Sequence, residues 1–275
     1  MTIDHKKTIS ISQKVVVITL NYNHAQLTID CINSVLKSTF EEFVVLVVDN
    51  GSKAEDYELL LSAFDSSNIE ITRIEKNVGY VGGVNHGMKE ALKFNPDYFL
   101  IMNNDTLLDS LAIKSLVDTA LEFQDDAIVS GKVYNMDEPE TLQYIGQECV
   151  NANKFQYIAY VKGMRELDTG QYDQVMEMGM LDDIFWLLPR KIFDTIGYYS
   201  TDFFLYGEQN DYALRAIKAG FRLIYTPNAK IWHFGKMTTA DGNKLSPKVT
   251  YWQSYATMVL VFRHLSLIYF FRLYF

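Results

Sequence analysis

Two cysteines in 275 residues, Cys31 and Cys149, are too few and too far apart for a disulfide framework or a metal cluster. Their scarcity points to a reduced, intracellular setting, and a chain this long buries enough core to fold without covalent staples. An apolar N-terminal segment is missing as well. Residues 1–14 are polar, so no secretory signal is expected. Positive charge is in deficit: 25 Lys and Arg face 34 Asp and Glu, a formal net charge of −9, which argues against a nucleic-acid partner. An acidic chain that handles phosphates must gather positive charge locally or take it from a metal ion. Internal repeats and low-complexity stretches are also lacking. With 48% hydrophobic and 21% charged residues, the composition suits one α/β domain, or one domain with a small appendage.

What is present is a regular alternation. Residues 15–20 (VVVITL) and 43–48 (FVVLVV) are short apolar runs rich in β-branched side chains, the pattern of strands buried on both faces. Residues 69–74 and 98–102 (YFLIM) read as two more strands. Between them, residues 25–36, 57–64 and 86–94 carry apolar positions at helical spacing. Helices are expected again at 111–123, 190–196 and 209–219, the last with Gly220 at its C-cap, and strands at 127–134 and 221–225. Residues 135–180 show no clear period. The β-α-β-α order implies a mostly parallel central sheet flanked by helices, with right-handed crossovers. In such sheets ligands bind outside the carboxyl ends of the strands. The polar clusters at Asn21, Asp49, Asn77 and Asp105 all fall there, so four separate segments converge on one crevice.

Each polar cluster has a chemical reading and a structural one. Asp105 closes the triplet Asn103-Asn104-Asp105; its carboxylate suits a hard cation that keeps phosphate and water oxygens as other ligands, or else a strand-to-helix turn. Asp49 has the means to accept a hydrogen bond from the N3–H of uracil or thymine, or to shape the turn at Asp-Asn-Gly-Ser. Residues 77–87 (NVGYVGGVNHG) read as a glycine-rich loop with neither G-x-G-x-x-G spacing nor a Walker lysine. Gly79, Gly82 and Gly83 would still let backbone approach a ligand, with Asn77 and Asn85 adding polar groups. In Glu208-Gln209-Asn210-Asp211 a carboxylate is placed either as a general base or as a helix-start residue, and Asp211 can pair with Arg215 one turn on. His233 is a metal ligand or a structural histidine. Residues 255–275 (YATMVLVFRHLSLIYFFRLYF) are interrupted by Arg263, His264 and Arg272. They are expected to form an interfacial helix whose arginines meet anionic head groups, the alternatives being a core helix or a dimer-forming one.

Taken together, VVVITLNYN (15–23), VVDNGS (47–52), KNVGYVGGVNHGM (76–88), IMNNDT (101–106) and the long segment 187–233 resemble the inverting, non-processive family-two glycosyltransferases of GT-A fold. Within these, the chain is similar to bacterial rhamnosyltransferases of cell-wall, capsule and O-antigen assembly. The resemblance implies an α/β GT-A catalytic domain over residues 1–235 and a C-terminal helical extension over 236–275, membrane-interfacial or dimerising. It implies a nucleotide-sugar donor, dTDP-rhamnose or a UDP-sugar, held by Asn21, Asn23, Asp49, Asn50, Asn77, Gly79, Gly82, Gly83, Asn85, Asn104 and Asp105. Asp105 matches the last Asp of the family's D-x-D triplet, whose first position is Asn103 here. With His233 it would hold Mg²⁺ or Mn²⁺. The acceptor would be a glycan or a polyprenyl-linked glycan, and the setting the cytoplasmic face of a bacterial plasma membrane.

One position departs from the pattern. The family's Glu-Asp pair is Glu208-Gln209 here, and an amide cannot serve as a base, so Glu208 or Asp211 is expected to take the proton. Two rival readings follow. A scaffold that keeps the fold without the chemistry is kept open by Gln209. A nucleotidyltransferase would need a Lys or Arg in an early phosphate loop, and residues 21–26 contain none.

Overall fold

A computed structural model describes residues 13–148, 160–235, 240–241, 244–245 and 247–264. Cys149 and the expected apolar stretch beyond residue 264, with Arg272, lie outside the described residues. The first half follows the alternation. Strand β1 (Val15–Asn21), helix α1 (Ala25–Val35), β2 (Phe43–Asn50), α2 (Ala54–Ser62), β3 (Ile69–Ile74), α3 (Gly79–Ala91) and β4 (Tyr98–Met102) run in sequence. Their strands pair in parallel in the order β3-β2-β1-β4. Both faces of β1 and β4 are buried because helices cover the sheet on either side, which is why their sequences are continuous apolar runs. The β1–β2 register sets Asn21 opposite Asp49, so both polar strand ends meet at one edge.

One expectation changes here. The glycine-rich segment is not a loop: Gly79 to Ala91 is helical throughout. Its glycines serve packing. A Cβ on Gly83 would lie 2.8 Å from Leu20, and one on Gly87 would lie 2.6 Å from Ile18, so α3 settles directly onto β1. Gly79 has φ +81°, a conformation that favours glycine, and a Cβ there would meet the carbonyl oxygen of Phe204 at 2.5 Å.

The second half is built differently. It comprises β5 (Thr106–Leu108), α4 (Ala112–Glu122), β6 (Ala127–Asn135), β7 (Leu142–Tyr144), β8 (Gly146–Glu148), β9 (Tyr160–Lys162), β10 (Met176–Glu177), β11 (Phe185–Pro189), α5 (Arg190–Ile196), α6 (Glu208–Lys218), β12 (Arg222–His233) and α7 (Pro247–His264). Strand β11, which no sequence period announces, inserts antiparallel between β4 and β6. The sheet is therefore mixed: parallel on one side of β4 and interrupted on the other. Strand β12 runs past the expected 221–225, through Pro227, with an irregularity between Tyr225 and Lys230. Its far end pairs antiparallel with β5, setting His233 opposite Thr106.

Helix α7 packs against α6. Ala256 and Leu260 are buried in the same apolar cluster as Tyr212 and Ala213, and Gly207 at the start of α6 leaves room for Ala256. Arg263, expected at lipid head groups, instead pairs with Asp211 (Nε–Oδ1 3.0 Å) and Asp202. His264 Nε2 donates to the same Asp211 carboxylate, 2.8 Å away. No helix among the described residues is long and apolar enough to cross a membrane.

Candidate active site

The carboxyl ends of β1, β2 and β4, the entry to β11 and the start of α6 enclose a cleft of about 630 Å³. Asn23, Asn50, Asn77, Gly79, Asn104, Asp105, Glu208 and His233 line it, as do Asn103, Asp182, Asp183 and Gln209. Phe204 and Trp252, stacked with ring centroids 4.6 Å apart, form an aromatic wall, so α7 also contributes to the cleft.

Asp105 follows the last turn-out of β4, and its position is fixed from two sides. Asn103 N–H donates to the Ile184 carbonyl (2.8 Å), and Phe234 N–H donates to the Asp105 carbonyl (3.1 Å). The second contact brings the end of β12 alongside, so that His233 Nε2 lies 3.3 Å from Asp105 Oδ1. His233 Nδ1 is 2.7 Å from Gln143 Oε1, an acceptor, which places the ring proton on Nδ1. The Nε2 lone pair is then directed at the same space as the Asp105 carboxylate. One imidazole nitrogen and one carboxylate oxygen, converging at the edge of an open cleft, fit a divalent cation that completes its shell with water and phosphate oxygens.

The sequence assigns Asn21 and Asp49 to the donor; the structure sets both beneath the cleft, fully buried. Asn21 Nδ2 donates to Asp49 Oδ1 (3.0 Å), Ser52 Oγ (3.1 Å) and Asp56 Oδ2 (2.8 Å). Asp49 Oδ2 accepts from Ser52 N–H at 3.3 Å, and Arg73 approaches it at 3.6 Å. Thr28 hydroxyl donates to Asn21 Oδ1 and accepts from Asn104 Nδ2 (2.8 Å). A continuous hydrogen-bond path thus runs under the floor from Asn104 to Asp49. The Asp49 carboxylate is held in this network, and Asn50 beside it lines the cleft. Asn23, at φ 58°, accepts Lys53 N–H at 2.9 Å, and Asn77 Oδ1 accepts Gly79 N–H at 2.8 Å.

Gly82, Gly83 and Asn85 do not line the cleft. Gly82 borders a second, shallower cavity with Val78 and Tyr251, Gly83 packs on Leu20, and Asn85 exchanges two hydrogen bonds with the Tyr199 backbone (2.9 and 3.0 Å). Asp211 is likewise turned away. Fully buried, it holds Arg215 (2.8 Å), Arg263 and His264, and these cations keep its carboxyl below the usual carboxylate range despite burial. Cys31 is buried, and burial pushes its thiol up to about 12, so it is unreactive.

Sequence reasoning missed Asp182 and Asp183. The available signal was an acidic pair directly ahead of the apolar run FWLLP, the same junction of carboxylate and buried strand seen at Asp49 and Asp105. Asp182 is half-buried and Asp183 buried, as is Glu208 (4% exposed), whose Oε2 has no hydrogen-bond partner among the described residues. Burial raises all three carboxyls, and their mutual repulsion raises Asp183 and Glu208 further: Asp183 to about 7, Asp182 upward, and Glu208 well above its usual value. Tyr199 hydroxyl donates to Asp183 Oδ2 at 3.0 Å. Gln209 Oε1, also buried, lacks a partner among the described residues.

Comparison with known proteins agrees with this geometry. Residues 15–197 match the family model "Glycosyl transferase family 2". Galactofuranosyltransferase GlfT2 of Mycobacterium tuberculosis is 26% identical over 226 residues, 74% of this chain and 35% of that protein. Poly-beta-1,6-N-acetyl-D-glucosamine synthase of Staphylococcus aureus is 21% identical over 211 residues, 77% of this chain and 47% of that one. The chain therefore spans about a third to a half of the length of these curated relatives. Among solved structures, the mannosyltransferase PcManGT of Pyrobaculum calidifontis, in complex with GDP-Man and Mn²⁺, aligns with TM-score 0.61 at 13% identity, covering 92% of this chain and 63% of that one. GalNAc-T7 with UDP, GalNAc and Mn²⁺ aligns with TM-score 0.62 at 14% identity, covering 82% and 44%. The fold is that of the GT-A transferases, and the chain belongs to glycosyl transferase family 2.

Proposed function

We propose that the chain transfers a sugar from a nucleoside-diphosphate donor, dTDP-rhamnose or a UDP-sugar, to a hydroxyl of a glycan or polyprenyl-linked acceptor, with inversion. The observation that carries this reading is the convergence of Asp105 and His233 at the cleft edge, 3.3 Å apart and backed by Gln143. These two residues would hold Mg²⁺ or Mn²⁺. When bound, the cation neutralises charge on the departing diphosphate. Two structural neighbours contain Mn²⁺ together with a nucleotide or nucleotide sugar, which supports the same cofactor class here.

The residues divide the remaining work. Asn50, Asn77 and Asn23 present amide groups to the donor's nucleoside end, with the buried Asn21–Asp49 network fixing the floor beneath. The wall of Phe204 and Trp252 excludes water from the other side. The acceptor oxygen bonds to the anomeric carbon as the bond to the diphosphate breaks, and the proton passes to a carboxyl of the cleft, where Glu208 stands with Asp182 and Asp183. This cluster weighs against the scaffold reading that Gln209 keeps open. Along the outward side of α7, Tyr251, Tyr255, Met258 and Phe262 are exposed one helical turn apart. They support a peripheral contact with a membrane bearing the acceptor, or a dimer. Nucleoside diphosphate released from UDP- and dTDP-sugars in Mn²⁺, and lost in Asp105→Ala, tests the transfer reading. No release from any donor would contradict it.

A further inference from the structure

We propose that Asp183 takes the proton of the incoming hydroxyl, within a cleft-lining trio of Asp182, Asp183 and Glu208 that replaces the carboxylate missing at position 209. The inference rests on the sugar-transfer reading and names the residue that completes it.

Elimination and geometry both lead there. Gln209 lines the cleft but has no proton-accepting group at neutral pH. Asp211 is occupied by three cationic or imidazole partners and does not reach the cleft. Glu208 does reach it, yet it is buried at the first position of α6 with Oε2 unpartnered and no ion pair to a cation among the described residues. Burial and the two aspartates hold it protonated, and a protonated acid cannot accept. Asp182 lines the cleft as well, but it lacks the hydroxyl partner that holds Asp183 in place.

Asp183 differs from all of these. Its Oδ2 receives a hydrogen bond from the Tyr199 hydroxyl at 3.0 Å, which stabilises the anion. Tyr199 is itself immobilised. Its ring stacks on Tyr212 (4.7 Å between centroids) and touches Trp186, while its backbone is clamped by Asn85. The ionisable groups around Asp183 are Asp182, Glu208, Tyr80 and Tyr199, none of them cationic. Its carboxyl therefore sits near 7, where an appreciable anionic fraction coexists with real basicity. The balance is simple. The hydroxyl oxygen bonds to the anomeric carbon, the carbon–diphosphate bond breaks with its electron pair leaving on the diphosphate, and the hydroxyl proton moves to Asp183.

The test measures nucleoside diphosphate release from UDP-glucose, UDP-galactose, UDP-N-acetylglucosamine and dTDP-rhamnose with Mn²⁺, water serving as acceptor. Binding of UDP and dTDP is followed separately by calorimetry. Asp183→Asn, isosteric and still able to accept the Tyr199 hydrogen bond, is expected to cut release by about 100-fold or more, with nucleotide affinity preserved and melting temperature not lowered. Gln209→Asp is expected to lower release as well, because a fourth carboxylate holds Asp183 protonated. Wild-type release in Asp183→Asn overturns the proposal, as does a rise of about tenfold in Gln209→Asp, which would mean that the site lacks its base. Intact nucleotide binding without release from the wild type also removes Asp183. Loss of binding itself tells against the sugar-transfer reading instead.

Discussion

The two sides of β4 handle polar groups in opposite ways. On the parallel side, Asn21, Asp49, Ser52, Asp56 and Thr28 satisfy one another in a closed network beneath the cleft floor. On the antiparallel side, Asp183 and Glu208 are buried beside the half-buried Asp182 with no ion pair to a Lys or Arg among the described residues, and buried oxygens of Glu208 and Gln209 have no hydrogen bond there. The first arrangement costs little and holds geometry. The second raises the energy of the charged forms, and such unpaired carboxyls in a cleft are what proton-transfer chemistry requires. Asp105 and His233 stand at the seam, one from each side, and this explains why neither half alone forms the site.

Substitution at the seam has the largest expected effect. Asp105→Ala should reduce nucleoside diphosphate release by about 10²–10³-fold, with the melting temperature close to wild type because the carboxylate faces His233 at the cleft edge. An equal loss of stability would place Asp105 in the scaffold and erase the contrast.

On the parallel side the effect should appear as stability. Asp49→Ala removes the Asp49 acceptor of Ser52 N–H and one of the three acceptors of Asn21 Nδ2 in a fully buried site, a cost of about 1–3 kcal/mol, read by urea denaturation. A normal denaturation midpoint with weakened nucleotide binding would return Asp49 to the direct role that the sequence suggested.

On the antiparallel side the effect depends on pH. Asp183 is raised on folding from 3.8 to about 7, so between these values the folded state holds a proton that the unfolded state releases. Its contribution therefore favours the fold at low pH and diminishes as pH rises toward 7. Asp183→Asn should gain melting temperature relative to wild type at pH 8 and show no such gain at pH 4. Identical pH profiles would show that the carboxyl ionises without penalty.

The smallest effect is expected at α7. Arg263→Ala removes partly exposed ion pairs with Asp202 and Asp211, of which Asp211 keeps Arg215 and His264; a loss of at most about 1 kcal/mol is expected in thermal melts. A loss of nucleotide binding as well would show that this pair holds the Trp252 wall in place.

The same contrast explains what the sequence disclosed. Parallel strands buried on both faces are apolar runs ending in polar turns, so β1, β2 and β4 and their converging ends were legible. Helix α3 was hidden because glycine reads as a loop, whereas here glycines let the helix approach the sheet closely. Strand β11 was hidden because its partners, β4 and β6, lie far away in sequence. Asp182 and Asp183 were hidden with it, since only that strand's insertion carries them into the cleft. Asp105 and His233 could be named individually; their 3.3 Å approach depends on the β5–β12 pairing, which has no local signal.

The central claim is that Asp105 and His233 hold a cation against a nucleoside diphosphate. Calorimetric titration of UDP and dTDP into the wild type, Asp105→Ala and His233→Ala, with and without Mn²⁺, tests it most directly. The account predicts binding by the wild type that requires Mn²⁺ and is abolished or strongly weakened in both variants. Equal affinity in all three proteins, with or without the metal, would contradict it.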